Sequence, residues 1–102
     1  MEANSSFGQI INGSKPVLVD FFAEWCGPCK MMPAILKELK DAIGNQAIIL
    51  KVDVDKNPDV ARQFNVQGVP TLIIFKEGFV KWRQSGVVHA KQLKQQLDMI
   101  LK

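Results

Sequence analysis

The sequence lacks the segments that would carry a chain into or across a membrane. Residues Met1 to Pro16 hold no basic stretch followed by an apolar run of about 7 to 15 residues, and no later segment approaches the ~18 apolar residues of a bilayer-spanning helix. A cytoplasmic protein without a membrane partner is therefore expected. Internal repeats, low-complexity tracts and linkers are also missing, so residues 1–102 are expected to form one domain. Charge of one sign is not gathered anywhere. The net charge is +3, but Lys37, Lys40, Lys56, Lys76, Lys81, Lys91 and Lys94 are scattered among Asp and Glu, which argues against a nucleic-acid partner. Cysteine is scarce, at 2 residues, and histidine scarcer, at 1. That excludes a disulfide framework, and a chain of 102 residues can bury a core without one.

What is present is an ordinary globular composition, 47% hydrophobic and 23% charged, arranged in short alternating patterns. Phe7, Ile10 and Ile11 predict a short helix after Ser5 or Ser6, ended by Asn12-Gly13. Pro16 to Phe22 is a nearly continuous apolar run, the mark of a strand covered on both faces, interrupted only by Asp20. Met32, Ile35, Leu36, Leu39 and Ile43 follow helical spacing within a segment from about Pro28 to Ile43, which Gly44-Asn45 stops and Pro33 should bend. Ala47 to Val52 reads as a second buried strand, and Asn57-Pro58-Asp59 as the cap and first turn of a short helix running to about Phe64. Thr71 to Phe75 and Phe79 to Ser85 predict a hairpin joined by Lys76-Glu77-Gly78, and Leu93, Leu97, Ile100 and Leu101 line one face of a last helix. Strands joined through a helix pair in parallel by a right-handed crossover, while the hairpin is antiparallel. The expected fold is thus a three-layer α/β/α sandwich around a mixed sheet.

The two cysteines stand three residues apart, Cys26-Gly27-Pro28-Cys29, where a strand's loop turns into a helix. That spacing puts both sulfurs on one face of the first turn, close enough to bond. With Cys26 at the N-cap, unpaired N–H groups and the helix dipole would stabilise its thiolate, making it the attacking sulfur. Cys29, one turn in, is expected to be less exposed and to resolve a mixed disulfide. The competing reading is half of a zinc site, which fails by counting, because His89 and carboxylates alone would have to complete four ligands. Asp20 sits among apolar residues, where its pKa should rise, and is either an acid–base group or a strand end satisfied by the backbone. His89 reads as a surface residue capping the last helix, Trp82 as packing, and Trp25 as contact surface beside a thiol.

The run Trp25-Cys26-Gly27-Pro28-Cys29-Lys30 resembles the active-site motif of the thioredoxin family, and the segments Val52–Pro58, Val66–Thr71, Phe75–Gly78 and Gly86 resemble family segments in the same order. The resemblance spans about residues 6 to 101. It implies a protein-disulfide reductase acting by dithiol–disulfide exchange in cell redox homeostasis, with no cofactor beyond the Cys26–Cys29 pair. It further implies that Asp20, neighboured by Lys51, helps deprotonate Cys29, and that Pro70 follows a cis bond. Trp25, Gly27, Pro28, Gly68, Val69, Pro70 and Gly86 would then form the surface that binds clients, with Val69 pairing an extended client segment. Implied partners are disulfide-containing proteins and, as electron donor, a flavin-containing thioredoxin reductase drawing on NADPH. A monomer is expected. A non-catalytic binding module is the alternative from another class, whereas an oxidant or isomerase would call for a different dipeptide and an oxidising compartment.

The sequence also departs from the family pattern. Met1 to Asn4 leaves almost no room for the family's first strand, so a sheet of four strands is expected, a fifth forming only if the N-terminus supplies a short one. Its loss would leave Ala47 to Leu50 as an apolar edge open to association. Pro33 lies one residue earlier than the family's helix-bending proline, and Phe22 replaces an indole or phenol.

Overall fold

The computed structural model describes residues 2–102, with side chains from residue 6 onward. Helix α1 (Glu2–Ile11) leads into strand β1 (Val17–Phe22), a short 3-10 turn (Pro28–Met31), α2 (Met32–Ile43) and β2 (Ile48–Asp53). Helix α3 (Pro58–Gln63), strands β3 (Thr71–Lys76) and β4 (Phe79–Ser85), and α4 (Ala90–Leu101) complete it. The sheet order is β2-β1-β3-β4, with β1 and β2 parallel and the other pairs antiparallel. Alternation along the strands sends side chains to two faces. Leu18, Leu72 and Ile74 pack under α2 and α4, while Val17, Val19, Phe21, Ile73 and Phe75 pack under α1 and α3. This is the expected three-layer mixed sandwich with a four-stranded sheet.

Several boundaries differ from the sequence reading. Helix α1 runs from Glu2 rather than from the serines, and Met1 lies outside the described residues. Packing holds the helix: Ile11 is buried, and Phe7 meets Phe64 and Phe75 with ring centroids 5.9 Å from each. Ile10 falls to the side of that stripe and is 37% exposed. The single helix expected from Pro28 to Ile43 is two pieces, and Pro33 sits at the start of the second, not inside it. A proline without an N–H is tolerated in a first turn, so a fresh helix start replaces the predicted bend. Strand β2 begins and ends one residue later than expected, and the side chain of Asn57 donates to the Asp53 carbonyl oxygen at 3.0 Å instead of capping α3.

Two glycines stop elements where the chain needs a positive φ. Gly44, at φ +57°, ends α2. Gly78, at φ +86°, follows Glu77 at φ +54° in the two-residue turn of the β3–β4 hairpin, whose twist matches paired strands. The same turn is pinned to the end of α1, since the N–H groups of Glu77 and Gly78 donate to the carbonyls of Gly13 and Ile11 at 3.1 and 2.9 Å.

Candidate active site

The loop after β1 brings Cys26 to the mouth of the 3-10 turn, where its N–H donates to the Ala23 carbonyl at 3.1 Å. Gly27 is the N-cap and Pro28 the first residue of the turn, so Cys26 lies one residue outside the cap position predicted for it. The sulfur nevertheless reaches the helix end, because the Cys29 N–H donates to Cys26 Sγ at 3.1 Å. Cys26 and Cys29 are joined as a disulfide with Cα atoms 5.3 Å apart. A second correction concerns exposure. Cys26 is 4% exposed and Cys29 6%, so both residues are buried and the expected lower exposure of Cys29 is not seen at the level of the whole residue. Both pack with Ala23, and Phe22, Val54 and Val69 close around them; Val54 and Val69 come from distant loops that sequence spacing does not reveal.

The segment before β3 forms the opposite wall. The Val69–Pro70 bond is cis, as the resemblance implies, and the Val69 carbonyl oxygen lies 3.6 Å from Cys26 Sγ. Pro70 is buried, Val69 half-buried and Gly68 exposed. Thr71 Oγ1 donates to the Gly68 carbonyl at 2.6 Å, and the Gly86 N–H to that of Pro70 at 2.7 Å. Gly86 adopts φ +93°, a conformation suited to glycine. Trp25 is 71% exposed and its indole N–H donates to Asp55 Oδ2 at 2.8 Å. Gly27 and Pro28 are exposed between the cysteines, and Lys30 and Met31 extend the surface. Val69 is thus the residue of this segment that reaches the disulfide, with Gly68 and Pro70 its chain neighbours and Gly86 bonded to Pro70.

Behind the cysteines, β1 carries Asp20 into the interior, where it is 2% exposed. Together with Phe22, Cys29, Pro33 and Lys51 it lines a cavity of about 70 Å³. Burial pushes the Asp20 pKa up to about 6, against the opposing pull of the Lys51 ammonium. Lys51 is its partner in the parallel β1–β2 register but forms no ion pair with it among the described residues. Asp20 Oδ1 has no protein hydrogen-bond partner among them either, so the reading of a carboxyl satisfied by the backbone does not hold for that oxygen. A buried, underbonded carboxyl facing a cysteine across a small cavity is placed to exchange a proton. His89 is the exposed N-cap residue of α4, without a side-chain capping bond, and Trp82 is half-buried against the α2–α4 core.

Sequence reasoning missed three supports. Asp55 anchors Trp25, and the signal available was that an indole N–H beside a loop needs an acceptor. Thr71 ties Gly68, and Arg83 binds two carbonyls at the end of α3; no local pattern announces either contact.

The protein-family model described as Thioredoxin matches residues 1–99. A thioredoxin-like protein of Synechocystis is 45% identical over 98 residues, covering 95% of this chain and 93% of that one. A thioredoxin of Alicyclobacillus acidocaldarius is 43% identical over 98 residues, covering 96% and 93%. The bifunctional thioredoxin reductase/thioredoxin of Mycobacterium leprae is 49% identical over 74 residues, which is 72% of this chain and 16% of that protein.

Proposed function

This chain belongs to the thioredoxin family and is a protein-disulfide reductase acting through Cys26 and Cys29, and from that premise we propose how its residues divide the reaction. In the reduced protein the Cys26 thiolate attacks a client disulfide, forming a mixed disulfide and releasing the first client thiolate. Asp20 takes the Cys29 proton across the cavity, with Lys51 stabilising the carboxylate when it is ionised. The Cys29 thiolate then attacks Cys26 Sγ, forming the intramolecular disulfide and releasing the second client thiolate. Two electrons pass to the client. Trp25, Gly27, Pro28, Gly68, Val69, Pro70 and Gly86 hold the client segment, with Val69 offering its backbone for strand pairing.

The observation that carries this reading is the Cys29 N–H directed at Cys26 Sγ from 3.1 Å, a donor that stabilises a thiolate on that sulfur. The disulfide must be returned to thiols after each turnover. A flavin-containing thioredoxin reductase using NADPH supplies the electrons in this scheme, and the joining of both activities in the name of the Mycobacterium leprae relative supports the pairing. The chain needs no bound cofactor of its own. It works as a single domain in the reducing cytoplasm, where its thiols persist. No helix among the described residues is long and apolar enough to cross a membrane. A monomer fits the exposed Lys51 in the middle of edge strand β2, since a charge there blunts edge-to-edge pairing.

The test is reduction of insulin disulfides by a small dithiol. Wild type is expected to accelerate it, Cys26→Ser to abolish the acceleration, and Cys29→Ser to accumulate a mixed disulfide with the client. If wild type does no better than the dithiol alone, the reductase assignment falls and a binding role, which would survive Cys→Ser at both positions, replaces it.

A further inference from the structure

Helix α3 ends in a backbone cap. Asn65, at φ +53°, donates its N–H to the Arg62 carbonyl at 3.1 Å, and the Val66 N–H reaches back to Ala61 at 2.9 Å. This pair of bonds is the Schellman closure of a helix C-terminus. The carbonyls of Phe64 and Asn65 belong to the C-cap residue and the one beyond it. Arg83, from strand β4, takes both: Nη1 donates to Phe64 O at 2.7 Å and Nη2 to Asn65 O at 3.3 Å. A planar fork suits two adjacent acceptors, and a cation complements the negative end of the helix.

Beyond Asn65 the chain becomes the wall of the active site. It runs through Val66, Gln67 and Gly68 to Val69, whose carbonyl lies 3.6 Å from Cys26 Sγ. The far end of this segment is fixed to the exit of the same strand, where the Gly86 N–H donates to Pro70 O at 2.7 Å and Ser85 pairs with Thr71. Strand β4 and its exit therefore grip the segment at both ends, Arg83 at its start and Gly86 at its finish. Within it, the side chain of Gln67 bonds its neighbour Asn65, and the Gly68 carbonyl accepts from Thr71, itself only three residues on. Arg83 is opposite Ile73 in the β3–β4 register, and its two hydrogen bonds go to the end of α3 and not to the cysteines.

We infer that Arg83 is a positioning residue for client recognition: its fork on Phe64 and Asn65 sets the height of the Asn65–Val69 segment over the disulfide. The inference rests on the reading that Val69 pairs with a client backbone. The N–H donor to Cys26 Sγ and the carboxyl behind Cys29 both lie outside this segment, so loss of the fork should act first on client affinity. In Arg83→Met, which keeps an apolar stem and removes the fork, the KM for insulin should rise about fivefold while kcat stays within about twofold. Arg83→Lys, able to reach one carbonyl, should fall between. A fall in kcat at unchanged KM, or no change in either, overturns the role.

A second measurement separates failure of this inference from failure of its premise. In the mixed disulfide formed by Cys29→Ser with a cysteine-containing peptide, hydrogen exchange at the Val69 amide should slow, and should slow less when Arg83→Met is added. If the peptide gives no protection in the Arg83 protein, strand pairing at Val69 is wrong and the inference falls with it. If protection is equal with and without the fork, pairing stands and the positioning role is wrong.

Discussion

Asp20 is held in the fold at a cost. Its carboxyl would ionise at 3.8 in a solvated chain but at about 6 in the folded one, because burial penalises the charge more than Lys51 relieves it. Between those two values the folded protein keeps a proton that the unfolded chain has lost. Stability therefore falls as pH rises from about 4 to 6, and the penalty persists at neutral pH. Asp20→Asn removes the charge at similar size, so the oxidised variant should be more stable than wild type at pH 7 by about 1–3 kcal/mol. The advantage should vanish at about pH 4, where the folded wild-type carboxyl is protonated. Urea unfolding at the two pH values measures both; an advantage of equal size in acid would show that packing, not charge, accounts for it. Retention of a destabilising group beside Cys29 is what a proton-transfer role requires.

The β3–β4 hairpin shows how one residue governs an element. Gly78 adopts φ +86°, and a Cβ there would run into the side-chain oxygen of Asn12. Gly78→Ala should cost about 1–3 kcal/mol in thermal or urea unfolding, and Asn12→Gly in the same chain should recover only the steric part. A loss below about 0.5 kcal/mol, the scale of ordinary surface changes, would mean that the turn relaxes freely. This turn was legible, since Lys76-Glu77-Gly78 separates two strand-like runs. So were all four strands, four helices and the cysteine pair, because each rests on local periodicity, caps or spacing. The break between the 3-10 turn and α2 was not. A proline in a helical pattern signals disruption, but whether the chain bends or starts again depends on what it packs against. Likewise, the burial of Cys26 is imposed by Val54 and Val69, and the fork of Arg83 acts across 19 and 18 residues of chain; such contacts leave no mark in a window of sequence.

At the scale of the whole molecule, the sheet divides the interior into two separate cores. Ile43 belongs to the core beneath α2 and α4, and Ile73 to the one beneath α1 and α3, with both side chains buried. Ile43→Val and Ile73→Val should each cost about 0.5–1.5 kcal/mol. In the double variant the costs should add to within about 0.5 kcal/mol, because the two belong to different cores on opposite faces of the sheet. Urea unfolding of the four proteins of that cycle gives the coupling directly, and a coupling of about 1 kcal/mol or more would mean that the sheet transmits packing strain. Asp20 lies within β1, the cysteines cluster with Ala23 just beyond it, and the site touches the α2 layer at Pro33 and the core beneath α1 and α3 at Val54. A lineage carrying this architecture can then explore its two halves as separate evolutionary ledgers, each tolerating its own succession of apolar exchanges, with little epistasis between them and the redox centre as their one common constraint.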